Sequence, residues 1–161
     1  MPFSDTPQLR GPWSAATVAS HLDRSLIPMR IAVETPSGWP LVLSVWFLTH
    51  GGEILAATRP DSTLVRCLEH RPRCGFEIAS DTPPYRGVRG RAQVEIDRVA
   101  GADTLDQLLV RYLGGIDNPL AATLRSRAED EVCLRLRPVS ITSWDFSTRM
   151  ADSLGGLDDL G

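Results

Sequence analysis

Short segments of this chain show the spacing of apolar and polar residues that is typical of β-strands. Residues 27–34 alternate with a period of two, as expected for a strand with one buried face. Residues 41–48 form an almost continuous apolar run, which predicts a strand covered on both faces. After a turn, residues 53–58 return as a third strand, so the three segments predict an antiparallel meander.

Strand patterns continue further along the chain. Residues 74–78 alternate again, and so do residues 88–96, where apolar or small side chains alternate with Arg, Gln and Glu. This second pattern predicts a strand with one solvated or interfacial face, in which Gly87 and Gly90 permit close packing or a bulge. A last long strand is predicted from Val132 towards Trp144.

Four segments carry capping residues or apolar residues at helical spacing. Ser14 is expected to cap a helix that ends near Arg24, and Asp61 or Ser62 one that ends near His70. A third helix carries apolar residues at i, i+3, i+4 and i+7 from Leu105 to Tyr112, and a short fourth one spans residues 118–127.

Five or six short strands with interrupting helices predict a mainly β, α+β chain with a closed or partly closed antiparallel β-barrel. The barrel is expected over residues 26–99, within a single domain that spans residues 1–161. Residues 1–13 are predicted to form a loose N-terminal arm, and residues 150–161 a frayed tail rich in Gly and Asp.

Composition narrows the classes of function. The net charge of −3 argues against non-specific nucleic-acid binding, and no segment approaches the length of a membrane span. The three cysteines have unrelated spacings, which predicts reduced thiols and a cytoplasmic protein. Every basic residue is Arg, so any phosphate must be held by Arg, hydroxyl or backbone N–H groups, and a Schiff-base lysine is excluded.

Several common kinds of site have no counterpart in the sequence. There is no Gly-rich nucleotide loop, no nucleophile elbow and no pair of carboxylates placed for acid–base catalysis. The three histidines are scattered, and none pairs with Cys at a zinc spacing. We therefore expect no metal site and assign no catalytic residue.

Three segments remain as candidates for ligand binding, each with a plain structural alternative. Trp46 and Phe47 point to opposite faces of a strand, so either one borders a planar ligand or both pack in the core. Residues 59–63 join a strand to a helix start, which suits either a phosphate or a simple cap. Residues 85–91 hold three arginines, where Arg89 shares a face with Arg91 and Arg86 points away; a solvated face is the alternative.

Taken in order, these segments resemble the pyridoxamine 5′-phosphate oxidase-like family of split β-barrel, FMN-binding flavoproteins. The resemblance covers about residues 20–145. It is carried by the strands at 41–48 and 54–58, by the helix from Ser62 with the following Arg71-Pro72-Arg73, and by the segment 83–92. No single segment is specific for the family, but the order and spacing of all the segments together are fairly specific for it.

The resemblance implies a homodimer with a cofactor site between the subunits and a small-molecule substrate, without nucleic acid or membrane. The cofactor is expected to be FMN, with a deazaflavin coenzyme as the alternative. In this family Ser44 to Phe47 would line the flavin ring, Ala57 and Thr58 would flank the ribityl chain, and the phosphate would lie near Arg59 and its neighbours. The implied cofactor-binding residues are Ser44, Val45, Trp46, Phe47, Ala57, Thr58, Arg59, Ser62, Thr63, Arg86, Arg89 and Trp144.

One departure from the family pattern concerns the phosphate. Many members carry an Arg-Lys pair at the helix start, where this chain has Thr63 and Leu64, so Arg59 or Arg66 would have to substitute. Three hypotheses stay open: an FMN-dependent oxidoreductase, a deazaflavin-dependent reductase, and a non-catalytic flavin-binding protein. A true pyridoxamine phosphate oxidase is not expected, because the tail after Arg149 contains no basic residue.

Overall fold

The computed structural model describes residues 6–154, which form an eight-stranded, mainly antiparallel sheet with flanking helices. In chain order the elements are β1 (Gln8–Arg10), α1 (Ala15–Arg24), β2 (Met29–Glu34), β3 (Pro40–Val45), β4 (Leu48–His50), β5 (Glu53–Thr58), α2 (Thr63–His70), β6 (Arg73–Ala79), β7 (Arg86–Asp97), α3 (Gly101–Leu113), α4 (Pro119–Arg125), a single 3₁₀ turn (Ala128–Asp130), β8 (Val132–Asp145) and α5 (Ser147–Leu154). No helix in this range is long and apolar enough to cross a membrane.

The sheet closes on itself at one bend. Its strands lie in the order β3-β2-β6-β7-β8-β5-β4, with β1 paired to β8 in parallel. The two end strands, β3 and β4, are joined by Trp46 and Phe47 alone, so the Cα atoms of Val45 and Leu48 lie at most about 11 Å apart. The ends of the sheet therefore meet at this bend, which gives the split barrel predicted from the strand pattern.

The predicted meander is confirmed in its antiparallel pairs β2–β3 and β4–β5, but not as three adjacent strands. β3 pairs with β2, but β5 pairs with β4 and β8 instead of β3. The apolar run at residues 41–48 bends in its middle, and the bend carries the chain from one end of the sheet to the other. The barrel also extends beyond residues 26–99, since β8 lies between β5 and β7 at its centre.

β3 is an exposed edge strand, which corrects the expectation that both its faces are covered. Its side chains alternate between exposed and half-buried, and Val42 is 62% exposed. Its inward residues pack on the core, while the helices lie elsewhere: α3 packs against β5, β8 and β4. The outer face of β3 and β2 thus remains open in one chain.

The four predicted helices are present, although α3 begins four residues before its predicted apolar stripe and α5 was not predicted. The hydroxyls of Ser14 and Ser62 cap α1 and α2 by accepting backbone N–H groups, and Asn118 does the same for α4. α3 ends at Gly114, whose φ of 73° lies in the left-handed region that favours glycine.

The core has two layers. The barrel interior is filled by buried apolar side chains from five strands, from α1 and α2 and from the bend, such as Met29, Ile78, Leu134 and Phe47. A second layer lies between α3 and the outer face of β4, β5 and β8, around Leu55, Leu108 and Cys133. All three cysteines are free and buried.

The chain ends differ from the prediction of a loose arm and a frayed tail. Residues 8–10 are not loose, because they pair with residues 140–142 of β8. The Trp13 backbone N–H donates to the Ser143 hydroxyl at 3.0 Å, and its indole Nε1 donates to Asp145 at 3.2 Å. Residues 150–154 belong to α5, whereas residues 1–5 and 155–161 lie outside the described range.

Candidate functional site

The connection between β5 and α2, which we call the β5–α2 corner (residues 57–66), brings five of the predicted residues together. Thr58 ends β5, and its hydroxyl donates to Ser62 Oγ at 3.4 Å. Ser62 Oγ also accepts the Val65 N–H at 3.2 Å, so one hydroxyl both caps the helix and holds the strand end. The helix start thus presents N–H groups and two hydroxyls, which suits an anion.

Two arginines supply positive charge at this corner; Asp61 binds one of them directly, and Asp130 and Glu131 lie close enough to act on Arg59 electrostatically. Arg59 binds Asp61 through both guanidinium nitrogens, at 3.0 and 3.1 Å. This hydrogen-bonded pair lowers the pKa of Asp61 and raises that of Arg59. Arg66 donates to Thr63 Oγ1 at 3.0 Å and to the Asp61 carbonyl at 3.3 Å. Both guanidinium groups named as substitutes for the missing lysine therefore lie at the corner.

The departure at Leu64 has a structural reason. Leu64 is 3% exposed and packs in the barrel core, so a charged side chain at this position would have to leave water. The corner therefore depends on Arg59 and Arg66 for its charge.

The bend at Trp46 and Phe47 is held by α3. Phe47 is 0% exposed, so its side chain packs in the core and does not border a ligand. The Trp46 ring is stacked on Tyr112, with centroids 4.9 Å apart and planes 8° from parallel, and the Phe47 N–H donates to the Tyr112 hydroxyl at 3.3 Å. For both aromatics, packing accounts for most of the side-chain surface.

Arg111 fixes the same bend from the other side. Its guanidinium lies 5.4 Å from the centre of the Phe47 ring and donates to the carbonyls of Leu22, Asp23 and Ser25 at the end of α1. Neither Tyr112 nor Arg111 was identified from the sequence as a residue that shapes the site. The apolar stripe that includes Tyr112 indicated only that one face of α3 packs inward.

Ala57 lies beside Trp46. The β4–β5 register pairs Leu48 with Leu55, and continuing it sets Trp46 opposite Ala57. Both pack against the cluster formed by Leu105, Leu109 and Ala121. Trp46 and Ala57 thus connect the bend to the β5–α2 corner.

Ser44 and Arg89 lie on the outer face of the sheet, away from the helices. Ser44 pairs with Arg30, Arg30 with Glu77, and Glu77 with Arg89. Paired residues share a face of the sheet. Val45 has the opposite orientation and packs against the core. The predicted division of residues 86–91 is confirmed by the pairing, since Arg89 and Arg91 share this face and Arg86 does not.

Arg86 and Trp144 lie far from the corner. Thr58 pairs with Val132 at the start of β8, whereas Gly87 pairs with Trp144 near its end. Twelve residues of strand correspond to about 40 Å, so the two groups do not form one site within a single chain. The indole Nε1 of Trp144 is buried without a partner among the described residues.

Comparison with solved structures identifies the fold of this chain. No protein-family model and no curated protein matches the chain. Among solved structures, a conserved hypothetical protein from Mycobacterium tuberculosis has a TM-score of 0.72 and 25% identity over 83% of this chain and 86% of its own. An F420 reductase has a TM-score of 0.66 and 22% identity, over 81% and 97% of the two chains.

A putative pyridoxamine 5′-phosphate oxidase from Listeria innocua has a TM-score of 0.61 at 12% identity, covering 82% of this chain and 97% of its own. The predicted fold is therefore confirmed: this chain has the split β-barrel of pyridoxamine 5′-phosphate oxidase-like proteins.

Proposed function

We propose that this chain, which has the pyridoxamine 5′-phosphate oxidase-like fold, is an oxidoreductase that binds FMN and acts on a small organic substrate. The β5–α2 corner carries the proposal. It combines a capped helix start, two hydroxyls and two arginines within residues 58–66, which is the donor set that a phosphate monoester requires.

In this proposal the corner holds the phosphate. Arg59 and Arg66 supply charge, and the hydroxyls of Ser62 and Thr63 supply hydrogen bonds. Ala57 and Thr58 flank the ribityl chain, and the exposed residue Ser44 lines the flavin ring with the backbone that leads to Trp46. FMN would supply the redox chemistry, whereas the protein would orient it and set its electrostatic environment.

A deazaflavin coenzyme is the second candidate, and one observation favours it. The F420 reductase has a TM-score of 0.66 and 22% identity with this chain, both higher than the 0.61 and 12% of the putative pyridoxamine 5′-phosphate oxidase. The corner would then bind the deazaflavin phosphate in the same way, and direct titration separates the two cofactors.

We also propose that two chains form the complete site. Arg86 and Trp144 are too distant from the corner of their own chain, so a partner subunit would have to contribute them. The open outer face offers apolar surface for that contact, because Trp39 and Val42 are 75% and 62% exposed.

The first experiment titrates the purified protein with FMN and with coenzyme F420, and follows the fluorescence of each. We expect micromolar or tighter binding of one of them. Arg59→Gln is expected to weaken that binding by about tenfold to a hundredfold, because a charge-assisted hydrogen bond to the phosphate is lost. Asp61→Asn is expected to strengthen it about threefold, because Arg59 is released from its ion pair.

Glu69→Gln is the matched control for Asp61→Asn. It also neutralises one carboxylate, but at the other end of α2, where Glu69 pairs with Arg98, so the corner stays intact. Failure of both cofactors to bind, or weaker binding in Asp61→Asn, would contradict the proposed site. If a cofactor binds but neither nicotinamide donors nor candidate substrates reduce it, the protein is a flavin carrier and not an oxidoreductase.

A further inference from the structure

A row of polar and charged side chains crosses the outer face of the sheet, at right angles to the strands. The residue pairing places six residues side by side on six neighbouring strands, in the order Ser44, Arg30, Glu77, Arg89, Thr142 and Arg10. We call this the outer-face row. The row could not be predicted from the sequence, because its six residues come from positions spread over most of the chain.

Arginines recur on every second strand of the row. Neighbouring strands lie about 4.8 Å apart, so Arg30 and Arg10 each start about 10 Å from Arg89. Arg91 lies two residues further along β7 on the same face, about 7 Å from Arg89. Long guanidinium side chains from these positions can converge on one small group above Arg89.

The charge of these four arginines is not balanced. Within the part of the chain that the structure describes, none of the four forms an ion pair with a carboxylate. Elsewhere on the same sheet, Arg135 and Arg137 are each bound to two carboxylates at 2.6 to 3.2 Å. A single glutamate, Glu77, lies among the four arginines.

Each arginine keeps donors for a ligand. Arg30 gives one bond to the Pro28 carbonyl at 2.7 Å, Arg10 one to Gln8 at 3.0 Å, and Arg91 one to Ser140 at 3.3 Å. These contacts hold the guanidinium groups near the sheet. Since arginine carries five N–H donors, most of them remain for another acceptor.

The surface between the arginines is concave and has a floor of small residues. The groove has a volume of about 560 Å³, and its floor includes Ala32 and Gly75. A Cβ atom added at Gly75 would meet nothing closer than 3.8 Å, so this position has room for a side-chain atom. The groove has room for a small ligand above the strand backbone.

We infer that this groove is a binding site for a small oxyanion, a phosphate or carboxylate group, with Arg89 at its centre and Arg30, Arg10 and Arg91 around it. The groove shares no residue with the β5–α2 corner, but Arg89 is among the cofactor-binding residues that the family resemblance implies, so the inference rests on the proposed function where the oxyanion is the cofactor's. The oxyanion could belong to the substrate or to the cofactor of a neighbouring subunit, and the experiment below separates the two sources. Guanidinium forks suit phosphate and carboxylate equally, since both accept paired N–H bonds.

The test is calorimetric titration of the full chain with sodium phosphate and with succinate at low ionic strength, in the absence and in the presence of saturating FMN. We expect at least one anion to bind. Arg89→Gln should weaken it about tenfold or more, because one charge-assisted contact is lost. Arg24→Gln, an exposed arginine on α1 that bonds its own helix, should change it by less than about twofold.

Two further variants separate a ligand site from a merely positive surface. Gly75→Val adds a side chain to the groove floor at a position where its Cβ meets only ordinary contacts, and it should weaken anion binding about tenfold or more while the circular dichroism spectrum stays unchanged. Glu77→Gln should strengthen binding severalfold, because it removes the carboxylate that repels an anion among the described residues lining the groove. A diffuse positive surface would respond to Glu77→Gln but not to Gly75→Val, and that result would overturn the site.

The FMN arm identifies the source of the anion. Phosphate binding that persists in FMN-saturated protein indicates a substrate group, whereas binding that FMN abolishes indicates the phosphate of the cofactor. If neither anion binds with or without FMN, or if Arg89→Gln leaves binding unchanged, the inference is wrong. FMN binding that fails while phosphate still binds at Arg89 would instead reject only the proposed function.

Discussion

Gly90 and Gly75, on the neighbouring strands β7 and β6, both lack a side chain, but for different structural reasons. A Cβ at Gly90 would lie 2.4 Å from the Phe76 ring and 2.4 Å from the Ser140 carbonyl, distances that real Cβ atoms do not show. The same addition at Gly75 meets only ordinary contacts. The close packing expected for Gly90 is therefore confirmed, and Gly75 has a different role as the floor of a groove.

At this scale we predict that Gly90→Ala lowers the free energy of unfolding by about 2 kcal/mol, the cost of overpacking beside a rigid ring and backbone. Gly75→Ala is the matched control on the adjacent strand and should change it by less than about 1 kcal/mol. Urea denaturation of both variants measures the difference. Equal effects would mean that β6 and β7 are not packed as described.

At the scale of elements, the connection from β7 to α3 is held by one carboxylate. Asp97 accepts the N–H groups of Val99 and Ala100 at 2.9 and 3.0 Å, and it also accepts Arg135 Nε at 3.2 Å. These hydrogen bonds, that of Ala100 first, hold the pKa of Asp97 below its ordinary value of 3.8. α3 in turn supplies the Tyr112 and Arg111 side chains that hold the bend of the barrel.

The lowered pKa of Asp97 predicts sensitivity to acid. A carboxyl whose pKa is lower in the folded state stabilises the fold above its unfolded pKa near 3.9, and this stabilisation is lost as the pH falls through the folded value. Melting temperatures measured from pH 7 down to pH 3 should fall less steeply for Asp97→Asn than for the wild type. Asp81→Asn, an exposed control, should keep the wild-type slope.

At the scale of the whole molecule, the helices are distributed unevenly. α3 covers β4 and β5, whereas the outer face of β3 and β2 is open and carries both apolar surface and the outer-face row. An edge strand with exposed apolar side chains is a site where another chain can pair or pack. The open face is therefore where we expect the second subunit of the proposed dimer.

We predict that the protein is a dimer in light scattering coupled to size exclusion, and that Val42→Glu shifts it to a monomer by placing a charge in the contact. Val110→Glu makes the same substitution on α3, where the valine is 57% exposed, and should leave the dimer intact. A monomeric wild type, or a dimer that only Val110→Glu disrupts, would place the contact elsewhere.

The sequence by itself determined most of the elements and their caps, because these depend on residues that are close along the chain. The period-two pattern of residues 88–96, the caps at Ser14 and Ser62 and the left-handed end of α3 at Gly114 all follow from local chemistry. The order of segments from strand 41–48 to segment 83–92 was also sufficient to predict the split barrel. In the same way, residues 57–63 could be placed together because they are consecutive.

Only the tertiary structure decided which distant segments of the chain come into contact. No local rule shows that an apolar run bends at Trp46, since the reason is the packing of Tyr112 and Arg111 from α3 against that bend. The apolar run was predicted to be covered on both faces, but burial depends on which helices pack there, and within residues 6–154 no helix packs extensively on β3. The outer-face row exists only through strand pairing, which brings Arg10, Arg30 and Arg89 together from three separate parts of the chain.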